Sequence, residues 1–169
     1  MEVFVSNEQT DVELDLTRWQ QLAAAVLQAE GVRGQSEMAL LFVSRAAIAE
    51  MNRVHMGSEY PTDVLAFPID GEPVPSGRRP DEGGRGPGAE GPSADPPAVL
   101  GDVVVCPAVA HRQASERNAP AEDEIALLVV HGVLHLLDYD HQEPEERALM
   151  QRREQEVLGR FRALEGSAP

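Results

Sequence analysis

Three of the chain's five histidines, His131, His135 and His141, lie within residues 131–141. His131 and His135 are four apart in a stretch that reads as helix, so they share one face with Cβ atoms roughly 5–6 Å apart. Two imidazoles at that separation can converge on one ion at about 2.0–2.1 Å each. Asp138 tolerates the left-handed turn that ends a helix. The chain can then fold back and bring His141 to the same ion. Three histidines leave the fourth tetrahedral position to water, the arrangement of a catalytic zinc site and not of a closed structural one. Bound zinc lowers the pKa of that water from about 15.7 to about 7, which gives a hydroxide nucleophile at neutral pH. The spacing therefore predicts one zinc ion per chain on His131, His135 and His141. Asp138 and Asp140 flank the third ligand and could orient a histidine or assist the water. Asp140 is the nearest candidate for taking protons.

The histidine spacing equals that of the metzincin pattern H-E-x-x-H-x-x-G-x-x-H. Two positions differ: Gly132 stands where the protease keeps its general-base glutamate, and Asp138 where it keeps glycine. Without that glutamate the residue that activates water for peptide cleavage is missing. A zinc peptidase is thus disfavoured.

Elements to position these residues can be read along the chain. Val3–Ser6 is a short strand. Thr17–Glu30 is a helix, with Trp19, Leu22, Ala23, Val26 and Leu27 at helical spacing and Gly31 as its stop. Met38–Val43 is an apolar run of strand length. Ser44 caps a short helix through Asn52. Val64–Phe67 and Leu100–Cys106 are two further strands. Pro107 opens a helix to about Asn118, Ala121–Leu137 forms a more apolar one, and Glu143–Glu146 begins another with its acids in the first turn. Four strands and about five helices make an α/β chain with the predicted zinc site on a central helix.

Gly71–Ala98 is different: of 28 residues, 14 are Gly or Pro. Such a segment buries too little apolar surface to offset its ordering entropy and reads as a disordered surface insertion. The rest of residues 1–169 reads as a single domain. Away from the histidine cluster, His55 reads as an exposed loop residue and His111 as a surface or half-buried helix residue. Cys106 reads as a small buried hydrophobe and Trp19 as core. Thr62 and Asp63 follow Pro61 in a tight loop, where turn and cap chemistry is their ordinary role; their functional role would be to line a cleft beside the metal.

Composition narrows the classes. All 14 basic residues are arginine, so Schiff-base and P-loop lysine chemistry are excluded. The net charge of −15 argues against loose binding of nucleic acid, so any RNA must be held at a defined site or delivered by a partner. The single Cys106 makes no intrachain disulfide and removes every zinc-finger reading. No run of 18 apolar residues exists, and the N-terminus carries no secretory signal, so the expected address is the cytoplasm, with no membrane partner.

Three separated stretches resemble one family. His131-Gly132-Val133-Leu134-His135-Leu136-Leu137-Asp138-Tyr139-Asp140-His141 is similar to the YbeY endoribonuclease signature H-G-x-L-H-L-x-G-Y-D-H, departing only at Asp138. Pro61–Pro68 resembles its P-T-[DN]-V-L-S-F-P, and Leu100–Cys106 its L-G-D-I-x-I-C. The resemblance implies a small mixed four-stranded sheet, one zinc ion, and single-strand-specific cleavage of RNA in small-subunit ribosomal RNA maturation and ribosome quality control. It implies ribosomal RNA and small-subunit components as partners, with no DNA. Met56 stands where many members carry an arginine. The alternative function is a zinc-stabilised ribosome-assembly factor with little catalysis of its own.

Overall fold

Strands and helices follow one another in the order β1 (Glu2–Asn7), α1 (Leu16–Ala29), β2 (Ser36–Phe42), α2 (Arg45–Met56), β3 (Val64–Pro68), β4 (Ala98–Val105), α3 (Pro107–Glu116), α4 (Ala121–Leu136) and α5 (Pro144–Ser167). The structure, a computed structural model, describes residues 1–57, 62–69, 97–139 and 142–167. Within them the sequence-predicted elements are all present, with ends shifted by a few residues.

Local chemistry accounts for the helix ends. The Asp15 side chain accepts from the Arg18 amide at 3.2 Å and starts α1, and Ser44 accepts from the Ala47 amide at 3.2 Å and starts α2. Helix α2 does not stop at Asn52 as expected but runs to Met56, because Gly57 supplies the left-handed residue (φ 70°) that closes it. This corrects the placement of His55. It lies on the last turn of α2 and not in a loop, exposed, with its ring edge-on to Phe67 at 4.9 Å.

The sheet has the order β1-β2-β4-β3, with β1, β2 and β4 parallel and β3 antiparallel to β4. It is the mixed four-stranded sheet that the resemblance implied. β3 is an edge strand. Gly101 on β4 is required by close approach: at φ 132°, a Cβ there would stand 2.1 Å from the Phe67 carbonyl oxygen. Helices α1 and α4 cover one face of the sheet, where Leu22, Val26, Leu40, Val103, Val129 and Val133 are fully buried together, and α5 packs on these two helices. Helix α2 and the start of α3 cover part of the other, around Ile48, Val104, Cys106 and Val109. Trp19 and Cys106 are buried, as their sequence context implied. The region expected to be disordered lies outside the described residues, except at its end, where Ala98 opens β4 opposite Ser36. No described helix is long and apolar enough to cross a membrane.

Candidate metal centre

Helix α4 carries Glu122, Asp123 and Glu124 in its first turn, where they complement the positive end of the helix dipole. Further along, Gly132, Val133, Leu134 and Leu136 are buried, whereas His131 and His135 are only half-buried. One face of the helix therefore belongs to the core and the histidine face is open. The two rings are brought together as the i, i+4 spacing requires, with centroids 4.5 Å apart and planes at 79°.

The helix ends where expected and in a defined way. Asp138 is left-handed, with φ 66°. Its amide donates to the His135 carbonyl at 3.1 Å, and the Tyr139 amide reaches back to the Leu134 carbonyl at 3.1 Å. This pair of bonds is a Schellman closure, which turns the chain sharply away from the helix axis. Asp140 and His141, which follow, lie outside the described residues.

Between α4 and β3 lies a cleft of about 560 Å³, lined by Thr62, Asp63, His131, His135, Asp138 and Tyr139 among others. Thr62 and Asp63 thus border the cleft, and they also serve the turn. Asp63 accepts from the Val64 amide at 2.9 Å and from Gln113 at 3.2 Å, and its carbonyl accepts from the Cys106 amide at 2.9 Å. Met56 is at the rim, 56% exposed. His111 is exposed on α3 and does not border the cleft.

The most informative contact comes from α5. The Glu154 carboxylate meets Nδ1 of His131 at 2.5 Å. A carboxylate only accepts, so Nδ1 donates and the acceptor lone pair of the ring is on Nε2. Sequence reasoning looked for carboxylates near the histidines at Asp138 and Asp140 and did not single out Glu154. Its signal was present: α5 buries Met150, Glu154, Val157, Leu158 and Phe161, so a glutamate sits on the apolar stripe of an amphipathic helix.

These residues fit a zinc ion. An imidazole bound at about 2.0–2.1 Å places its centroid about 3.2 Å from the metal, so two rings sharing one tetrahedral ion lie about 5 Å apart. The observed 4.5 Å is slightly shorter than that, and imidazole nitrogens are donors of the type zinc takes. Among the described residues no group of three ligands is assembled; the third predicted ligand, His141, is not one of them.

Comparison with known proteins places this chain in a family. The family model described as Endoribonuclease YbeY matches residues 4–162. A protein named Endoribonuclease YbeY from Pelotomaculum thermopropionicum is 43% identical over 168 residues, covering 95% of this chain and 97% of the relative. One of the same name from Salinispora tropica is 40% identical over 164 residues, covering 96% and 98%. A solution structure from Thermotoga maritima shares the fold at a TM-score of 0.57 and 23% identity, covering 99% of this chain and 96% of that one. Matched over nearly its whole length, this chain belongs to the endoribonuclease YbeY family, a family of hydrolases.

Proposed function

We propose that this chain is a zinc-dependent endoribonuclease that cuts single-stranded RNA and acts in small-subunit ribosomal RNA maturation and ribosome quality control. The observation that carries the reading is the pair of half-buried histidines, His131 and His135, side by side on an open cleft in a chain whose relatives bear the name endoribonuclease. His131, His135 and, by spacing, His141 hold the ion. Zinc bound there supplies an acidified water and positive charge for the non-bridging phosphoryl oxygens. Asp140 is the candidate for moving the proton, and Asp63 and Asp138 add carboxylates at the rim of the cleft.

The net charge of −15 repels phosphates, so affinity for free RNA is low and falls with salt. The substrate is then best presented by small-subunit components in the cytoplasm. Gly132 offers no carboxylate to activate water against a peptide bond. The charge and the exposed Met56 at the rim also favour a second reading, a zinc-stabilised assembly factor with little turnover.

Incubation of wild type and His131→Ala with labelled single-stranded RNA and with casein separates these cases. The expected result is slow, zinc-dependent RNA cleavage by wild type alone and intact casein. Equal RNA cleavage by both proteins would indicate a contaminating nuclease and put the assembly factor ahead. Elemental analysis should find about one zinc per chain, with most of it lost in His135→Ala. Full zinc in that variant would overturn the ligand assignment.

A further inference from the structure

We infer that Glu154 is a positioning residue for the metal centre, setting the tautomer and direction of His131 from a helix that supplies no ligand itself. The inference rests on the reading of His131 and His135 as metal ligands. A glutamate on an apolar helix face, its side chain only 8% exposed, needs a compensating partner. Its neighbours on that face are Met150, Val157, Leu158 and Phe161, none of which can donate a hydrogen bond. The Nδ1–H of His131 can, and it lies at 2.5 Å. The pairing joins α5 to α4 across 23 residues of chain.

The carboxylate is held at its place by the rest of α5. The next residue back, Arg153, donates from Nε to Glu30 at 2.8 Å and from Nη2 to the Ala29 carbonyl at 3.1 Å, at the end of α1. Both side chains of that ion pair are largely buried. Glu30 also accepts from the Tyr139 hydroxyl at 2.6 Å, on the turn just after α4. Near the other end of α5, Arg162 pairs with Asp123 at 2.8 Å. The helix is thus fixed against α1 and α4 on both sides of Glu154, and the carboxylate has little freedom to swing away.

With Nδ1–H held by Glu154, the acceptor lone pair of His131 is on Nε2, the nitrogen type that a metal takes. The charged acceptor also raises the electron density of the ring, which strengthens it as a ligand. A neutral acceptor of the same shape keeps the packing and loses most of that effect. An amide can also turn its NH₂ toward Nδ1 and stabilise the wrong tautomer.

The test uses the full chain. Zinc affinity is measured by competition with a chromogenic chelator in wild type, Glu154→Gln and, as an exposed control on the same helix, Arg160→Gln. Nitrogen-15 spectra of the imidazoles in the metal-free proteins report the His131 tautomer without any metal or activity. The expected result is a zinc affinity lower by roughly 10–100-fold in Glu154→Gln, with Arg160→Gln like wild type. The His131 signals should change from a single Nδ1–H form to a mixture. Glu154→Asp, which keeps the charge on a shorter arm, should recover part of the affinity. Wild-type zinc affinity together with an unchanged tautomer in Glu154→Gln would overturn the inference and leave the metal site standing. Absence of zinc from wild type would overturn the site itself, and the inference with it. Should Glu154→Gln fail to fold, Glu154→Asp decides: a lowered zinc affinity with altered His131 imidazole signals supports the inference, and wild-type values of both overturn it.

Discussion

Gly132 of α4 lies against Val103 of β4 so closely that an added Cβ would stand 2.5 Å from Val103 Cγ1. Val103 is fully buried, and its branched side chain has few rotamers in which to retreat. The position that holds a glutamate in the protease pattern is therefore, in this fold, the point where the helix touches the sheet. Gly132→Ala should lower stability by about 1–3 kcal/mol, overpacking outweighing the gain of about 1 kcal/mol in helix propensity. Gly132→Glu should do more damage and confer no activity on casein. Thermal melting of both variants checks this; an unchanged or raised Tm for Gly132→Ala would show that the contact is slack.

The left-handed Asp138 makes a second prediction. A residue with a Cβ at φ 66° carries strain that glycine does not. Asp138→Gly should keep or raise stability, by up to about 1 kcal/mol. Asp138→Val, with a branched side chain that tolerates this conformation poorly, should lower it by about 1–3 kcal/mol. Because the turn leads directly to His141, the Val variant should also lose zinc. Zinc retention in a destabilised Asp138→Val would separate the turn from the metal centre.

Strands β3 and β4 are antiparallel neighbours, and beyond the last ladder pair the Ile69 amide still donates to the Leu100 carbonyl at 3.2 Å. The two flanks of the Gly/Pro-rich segment are thus already adjacent. Replacing residues 71–96 by a short Gly/Ser turn should leave the melting temperature nearly unchanged, since loop length enters stability only logarithmically, at about 0.6 kcal/mol per doubling. A large fall would mean that the segment packs on the domain.

Cys106 offers a clean probe of opening because it is the only thiol. It is buried, and burial pushes its pKa above the ordinary thiol value. A thiol reagent at pH 8 should label it only after denaturant is added. A raised folded pKa means that the thiol's contribution to stability is complete below the unfolded pKa of about 8.5 and is lost as the pH rises through the folded value. Cys106→Ser should therefore lose less stability than wild type between pH 8 and pH 10. Rapid labelling of the native protein would contradict the buried placement.

Much of this protein is set by local sequence. The i, i+4 histidines, the apolar spacing of α1, Ser44 as a cap and Asp138 as a turn residue act within one or two turns of helix, and such effects follow from residue type and spacing alone. The zinc reading rests on the same local spacing, and Trp19 and Cys106 were legible as core from their immediate surroundings. The length of α2 was harder, since Arg53-Val54-His55-Met56 alternates instead of following a helical period and hides the last turn until Gly57 is seen to close it. What only the tertiary structure decided are the pairings across the chain. Glu154 reaches His131 because α5 returns to pack on α4, and Gly132 is glycine because a sheet strand lies against it. Asp63 and Thr62 border the histidines because β3 sits at the sheet edge nearest α4. None of these partners is near in sequence, so no local pattern names them. They are chosen by burial, which brings a charged or small residue to the one place where its partner, or the space it leaves, is needed.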